Sequence, residues 1–405
     1  MNILIVSQYF WPENFRINDL ASELVKRGHE VTVLTGFPNY PNGYVFTEFL
    51  ENSSAFSKFE NVRIVRVPLV PRGTGSVHLF LNYLSFAINA CVLGAWRLRG
   101  QKFDVVLTCQ LSPVTVGLSG AFLAWVKNVP MAMWVLDLWP DTLKAIGVVK
   151  SPKLLAVVSK LVSFIYRRCD LILAQSQSFI PKIKELAKGN SSVVYFPSWA
   201  EDVFKSNNIV PAPEVPHMDG GFNVMFAGNV GEAQDFECIL SAATLLKKLT
   251  HIRWLIVGDG RMSAWVASQI ALRGLDDHVL LLGRYPVERM PDFFAKADAM
   301  LVTLADQEIF AMTIPGKLQS YMAAGMPVIA ALNGEGADVI RLAKAGFTCP
   351  AGNAVELAAS VHKMAELPKS ERDAMGKNGL EFSQHAFDRR MLVDMAEKHL
   401  SGLCK

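Results

Sequence analysis

Thr313-Ile314-Pro315-Gly316-Lys317-Leu318-Gln319-Ser320-Tyr321-Met322-Ala323-Ala324-Gly325-Met326-Pro327-Val328-Ile329-Ala330 reads as loop, helix, turn and buried strand. Pro315 suits the first helical turn, and Gly325-Met326-Pro327 ends the helix and feeds the apolar strand directly. A helix that delivers a wholly apolar strand belongs to a parallel sheet covered on both faces. Strand-like runs at 222–227, 253–257, 278–282, 299–304, 327–332 and 347–350, with helical segments between them, extend the same α/β pattern on either side. An earlier series at 3–7, 31–35, 62–67, 104–109, 131–138, 171–176 and 193–196 predicts seven more strands. A helix between the first two presents Ile17, Leu20, Ala21, Leu24 and Val25 on one face and stops at Gly28. Residues 198–221, with Pro211, Pro213, Pro216, Gly220 and Gly221, have the composition of a connection. The expectation is two Rossmann-like, doubly wound domains, 1–200 and 218–386, with a terminal helix at 387–403 packing back on the first. A cleft would be faced by the carboxyl ends of both sheets, where open α/β sheets bind ligands.

The 405 residues are 51% hydrophobic and 19% charged, which excludes global disorder. A net charge of +3 is too small for a dedicated nucleic-acid binder. That charge is uneven: residues 1–200 carry 20 Lys+Arg against 12 Asp+Glu, and the remainder 20 against 25. Six cysteines form no C-x-x-C pair, which argues against a disulfide framework or a zinc cluster and for a reducing, cytoplasmic setting. Met1-Asn2 runs straight into Ile3-Leu4-Ile5-Val6 without a basic flank, so a first strand is expected rather than a signal peptide. Residues 77–96 approach the length of a membrane span. His78, Asn82, Ser85 and Asn89 interrupt them with a polar stripe, and a half-buried or interfacial helix is expected.

The chemistry-bearing residues concentrate where strands end. Gly228-Asn229-Val230-Gly231, Gly258-Asp259-Gly260 and Gly283-Arg284-Tyr285 follow strands of the second domain and would let a ligand approach the backbone. Ordinary strand-to-helix turns are the alternative. The amides of Gly316, Lys317 and Leu318 would open a helix after Pro315 and form an anion site of the phosphate type, to which Lys317 adds a full charge. In the first domain Asp137 lies between Trp134 and Trp139 at a strand end. It is a candidate acid or base beside aromatic faces that suit a sugar, or else a helix cap. Glu13, Asn14, Arg16 and Asn18 in the first loop, and Tyr40 in the rigid Gly36 to Gly43 turn, are candidate ligand contacts. The turn after residue 7 lacks G-x-G-x-x-G, which speaks against a dinucleotide there. No H-x-x-H, H-E-x-x-H or G-x-S-x-G signature supports a metalloprotease or serine hydrolase.

With these elements the chain resembles, over nearly its whole length, a glycosyltransferase of the GT-B fold, family 4. Gln8 to Leu20, Pro38-Asn39-Tyr40-Pro41, Asp137-Leu138-Trp139-Pro140 and the Gly228 to Gln234 turn are similar to the WbuB-like, colanic-acid and O-antigen branch. The resemblance implies a hexosyltransferase acting by retaining, metal-independent transfer from a nucleotide diphosphate sugar, with no cofactor. The donor would bind the second domain at Gly228, Asn229, Gln234, Gly258, Arg284, Tyr285, Pro315, Gly316, Lys317, Leu318 and Ser320. The acceptor would bind the first at Glu13, Asn14, Arg16, Asn18, Tyr40 and Trp139. The expected donor is a UDP-sugar, and departures from the family pattern permit an N-acetylated amino sugar or a 6-deoxy sugar; the basic first domain and the apolar 77–96 stretch suggest docking on the cytoplasmic face of the inner membrane, as an acceptor linked to undecaprenyl diphosphate would explain. The wider family's E-x7-E pair falls here on Met312 and Ser320, and its Arg and Lys in the glycine turn on Asn229 and Gln234. Those departures leave open a nucleotide-sugar-binding subunit without activity, and the two-domain plan also resembles a non-hydrolysing UDP-sugar 2-epimerase.

Overall fold

Apolar, β-branched runs bounded by glycine and proline pay the least cost in burying both faces, and they become the strands of two parallel sheets. In a computed structural model that describes every residue except Asn42, Thr74, Ile146, Val148, Lys150, Ser206, Asn207 and Lys405, the chain divides into two units. The first is Met1–Pro197 with Arg390–Lys405, the second Ser198–Arg389. The first unit carries β1 (Asn2–Ser7), β2 (Glu30–Gly36), β3 (Lys58–Phe59), β4 (Val62–Val67), β5 (Val105–Gln110), β6 (Met131–Val135), β7 (Leu171–Ala174) and β8 (Ser192–Tyr195). Their order is β3-β4-β2-β1-β5-β6-β7-β8. Ile3 is in register with Val31 on one side and Val105 on the other, so the topological switch point lies between β1 and β5. The eighth strand, unexpected from sequence, is β3: two residues pairing antiparallel with β4, too short to leave a period.

The second unit carries β9 (Phe222–Ala227), β10 (Ile252–Val257), β11 (Val279–Gly283), β12 (Ala299–Thr303), β13 (Val328–Ala331) and β14 (Gly346–Cys349), all parallel, in the order β11-β10-β9-β12-β13-β14. Alternate residues feed two apolar layers, one around Met225, Leu255, Met300 and Tyr321, the other around Phe226, Trp254, Ile256 and Leu301. Residues 198–221 are not the loose connection that their composition suggests. Ala200, Phe204, Ala212 and Val215 sit in the first of those layers, because spaced apolar anchors among the prolines hold the segment down.

The terminal helix, Arg389–Ser401, buries Leu392, Val393, Ala396 and Leu400. Its Asp394 and Glu397 receive Arg27, and Glu397 Oε1 lies 2.9 Å from His29 Nε2, all within the first unit. The apolar 77–96 run is one continuous helix with a π turn in it: Ser76–Asn89 is α-helical, Ala90–Gly94 is the π turn and Ala95–Arg97 resumes. Gly94 packs where a Cβ would meet Leu34 at 2.7 Å.

Candidate active site

In the second unit the site forms where β9 and β12 part, in front of the Gly316–Ala323 helix. Pro315, with ψ of 133°, precedes that helix as its extended cap rather than lying in its first turn. The amides of Gly316 and Lys317 have no acceptor among the described residues. The amide of Leu318 does: it donates to the Pro315 carbonyl at 2.9 Å, and its side chain is wholly buried. Leu318 is therefore not a third anion donor, because the turn closes on itself in the i to i+3 manner that tightens helix ends.

Lys317 folds back under the glycine turn. Its Nζ lies 3.7 Å from the centroid of the Phe226 ring and donates to Gln234 Oε1. A Cβ on Gly228 would stand 3.1 Å from Lys317 Cε, so glycine leaves the lysine its place. Gln234 is fixed in turn by Thr303, whose hydroxyl donates to its carbonyl. No carboxylate pairs with Lys317 among the described residues, and burial pushes its ammonium down to about 7. A cation desolvated against an aromatic face and one neutral amide is incomplete without an anion.

The remaining donor candidates divide. Gly258, φ +147°, is demanded by backbone packing rather than by a ligand, since its Cβ would lie 1.8 Å from the Gly228 carbonyl oxygen. The Ser320 hydroxyl has two acceptors within reach of its one proton, Glu201 Oε2 at 3.1 Å and the Gly316 carbonyl at 3.2 Å. Glu201 thus supplies a carboxylate beside the helix that lacks its own. Asn229 and Arg284 are exposed. Tyr285 is not a free platform: it packs on Phe293 with centroids 4.5 Å apart.

In the first unit the loops after β1, β2, β5 and β6 each carry a cis proline, at Pro12, Pro41, Pro113 and Pro140. Two expected acceptor contacts turn inward. The Glu13 carboxylate, 3% exposed, accepts the amides of Asn39 at 2.8 Å, Tyr40 at 2.7 Å and Phe10 at 3.3 Å. Asn18 donates to the Glu13 carbonyl and accepts from the Trp11 amide. Glu13 buckles the first loop to the second and Asn18 braces the first loop internally, because amides leaving a parallel strand need acceptors. Burial pushes the Glu13 carboxyl up to about 7, against those three amides and the Arg66 guanidinium. Asn14 is exposed, Arg16 half-buried, and Tyr40 37% exposed.

Asp137 stands past β6, which stops at Val135 rather than Leu138. Burial raises its carboxyl above the usual range, while hydrogen bonds from Thr142, Trp139 and Ser112 oppose the shift. Trp139 Nε1 donates to it at 3.0 Å, and the Trp139 ring meets Tyr83 edge-on at 6.5 Å. Those donors hold Asp137 in one orientation, as a positioned carboxylate.

Sequence reading missed Glu201, Ser112, Tyr83 and Arg72. Arg72 Nη1 donates to the Tyr9 hydroxyl at 3.3 Å, and its guanidinium lies 5.3 Å from the Tyr40 ring centroid. The available signal was position: a lone arginine in a Pro–Gly loop just after β4, at the edge where the other candidates gather. Among the described residues no group of three or more His, Cys, Asp or Glu is arranged to hold a metal ion.

Residues 221–366 match the family model described as Glycosyl transferases group 1, and residues 14–199 that described as Glycosyl transferase 4-like domain. The chain is 27% identical over 293 residues to the probable glycosyltransferase WbjE of Pseudomonas aeruginosa, spanning 70% of this chain and 71% of that protein. It is 25% identical over 349 residues to the putative colanic acid biosynthesis glycosyl transferase WcaI of Escherichia coli K12, spanning 80% and 82%. Among solved structures, Anabaena HepE in complex with UDP is similar with a TM-score of 0.70 at 16% identity over the full length of both chains, a likeness of fold.

Proposed function

Because the chain belongs to the glycosyltransferases, with a 4-like domain followed by a group 1 domain on the GT-B fold, we propose that it moves a hexosyl unit from a UDP-sugar to a lipid-linked saccharide. The setting is bacterial surface-polysaccharide synthesis, as the name of the colanic-acid relative suggests. The observation that carries the reading is Lys317: a desolvated ammonium without a carboxylate, at the amino end of a helix with two unused amides. A diphosphate supplies the missing anion. The bound UDP in the HepE structure favours that nucleotide.

In this reading Lys317 and the amides of Gly316 and Lys317 stabilise the charge that grows on the departing diphosphate. Reaction proceeds with retention and without a metal, the departing phosphate accepting the proton of the attacking hydroxyl. Ser320 and Glu201 hold ribose hydroxyls, Arg284 lies toward the base, and Asp137 orients the acceptor with Asn14, Arg16 and Tyr40. An N-acetylated or 6-deoxy sugar is the proposed cargo. Thermal unfolding against UDP, GDP, CDP, dTDP and ADP, with EDTA throughout, tests the donor site. UDP at 100 times its Kd is expected to stabilise the protein by about 2.7 kcal/mol, and no shift with any nucleotide refutes the reading. A UDP shift without transfer to any acceptor identifies an inactive binding subunit instead.

The acceptor's lipid requires a membrane, and the first unit offers a face for one. Phe80 (63% exposed), Trp96 (60%) and Trp125 (73%) stand on neighbouring helices with Val77, Ile88 and Val92. The run Val77–Arg97 is long and apolar enough to cross a bilayer by length and composition, and 28% of its most apolar window is buried inside the protein. Arg99 lies over the Trp96 ring at 4.4 Å and Arg168 over Phe164 at 4.2 Å, pairings that suit the headgroup level. We assign this face to the anionic inner leaflet, each nearby cation contributing about 1 kcal/mol. The protein is expected to float with phosphatidylglycerol vesicles at low salt and to be released by Phe80→Asp with Trp125→Asp. Equal flotation of the variant ends the assignment.

A further inference from the structure

Arg66 and Arg72 both lie at the carboxyl edge of the first unit's sheet, which treats them differently. Arg66 is 7% exposed and spends its donors on the carbonyls of Gly36, Phe56 and Trp11, with the Glu13 carboxylate near by. Arg72 is half-buried, donates from its guanidinium to one neutral hydroxyl, and pairs with no carboxylate among the described residues. Its backbone is held firmly, the amide donating to Asn39 Oδ1 at 3.1 Å. The hydroxyls around it belong to Tyr9 and Tyr83, and burial pushes both above the ordinary tyrosine range, so neither provides a counter-charge. A partly desolvated guanidinium, fixed in place with most of its fork unused, fits a phosphate.

The surroundings indicate what carries that phosphate. The loop bearing Arg72 leads directly into the Ser76–Asn89 helix. That helix turns Asn82 and Tyr83 toward the arginine's side and leaves Val77, Phe80, Leu81, Leu84 and Ile88 exposed on the other. Tyr83 also reaches Ser112, which hydrogen-bonds Asp137, so the arginine and the candidate positioning carboxylate belong to one wall. We propose that Arg72, with Tyr83, binds the phosphate group of an amphiphilic acceptor whose prenyl chain lies along the exposed row of this helix. The proposal rests on the lipid-linked acceptor assigned above and names the residue that reads its linkage.

Equilibrium titration separates this proposal from the transfer reading, because it needs no turnover. Geranyl diphosphate is titrated with UDP present, and again into Lys317→Ala to remove the other anion site. Binding is expected in both, and Arg72→Gln is expected to weaken it about 10- to 100-fold, the span of a charge-assisted hydrogen bond. Arg72→Lys should fall between, keeping the charge without the fork, and Tyr83→Phe should weaken binding a fewfold in a chain whose thermal unfolding is unchanged. Geraniol should not bind, and inorganic pyrophosphate should bind at least tenfold more weakly than geranyl diphosphate. Equal affinity in the wild type, Arg72→Lys and Tyr83→Phe overturns the site even if Arg72→Gln fails to fold. Pyrophosphate binding as tightly as geranyl diphosphate overturns the lipid as its source.

Discussion

Lys317→Ala is expected to lower turnover about 10²- to 10³-fold, the loss typical of one preorganised donor at a centre of developing charge. The lysine packs on Phe226, so the variant also leaves a gap, and Lys317→Arg provides the sharper comparison. Burial pushes the Lys317 ammonium down to about 7, and a bound diphosphate restores the charged form. Above pH 7 donor binding must therefore take up a proton, and affinity for an intact UDP-sugar should fall toward tenfold per pH unit; below 7 the dependence should vanish. Arginine does not titrate in this range, so Lys317→Arg should show a flat profile. The sign for stability is opposite. The unfolded lysine holds its proton up to about 10.5 while the folded one has released it, so the ligand-free protein gains stability at this site as pH rises from about 7. Calorimetric binding from pH 6 to 9 checks the first statement. A slope that persists in Lys317→Arg, or unchanged turnover in Lys317→Ala, refutes the assignment.

Glu13→Ala should destabilise the first unit by about 3–5 kcal/mol, since each buried amide left without an acceptor costs about 1–3 kcal/mol. Three amides lose their acceptor and Arg66 loses its nearby counter-charge. At about 2–4 °C per kcal/mol for a unit of this size, the midpoint should drop by roughly 6–20 °C. Glu13→Gln keeps one carbonyl oxygen for Asn39 and Tyr40 but aims an amine toward the Phe10 amide, and should cost about 1–3 kcal/mol. Scanning calorimetry checks both. Loss of acceptor affinity with an unchanged midpoint would return Glu13 to the ligand-contact role that its buried hydrogen bonds argue against.

These two residues show what a sequence discloses. Lys317 was legible because its chemistry is local: proline, glycine, lysine and a helix start lie within four positions, and the strand plan sets them at a sheet's carboxyl edge. Glu13 was misread because nothing local shows that its partners are backbone amides twenty-six and twenty-seven residues away. Asp137, as a strand-end carboxylate, was visible, whereas the donors that fix it, Ser112 and Thr142, arrive from other elements. Glu201 and Arg72 escaped for the same reason. Glu201 lies in a segment whose prolines resemble a linker, and Arg72 in a loop without a motif. Strands were legible to within one to three residues because parallel strands carry unbroken apolar runs; β3 left no run to find.

The first unit is completed by residues Arg390–Lys405, which follow the whole of the second in the chain. On the ribosome, the surface around Arg27 and His29 that receives Asp394 and Glu397 therefore waits, uncovered, through nearly two hundred residues of synthesis. The second unit can reach its fold as a self-contained insert, and in doing so it gathers its two ends, since Arg389 pairs with Asp202. Connectivity thus places the whole of the second unit between the two segments that the first must bring together.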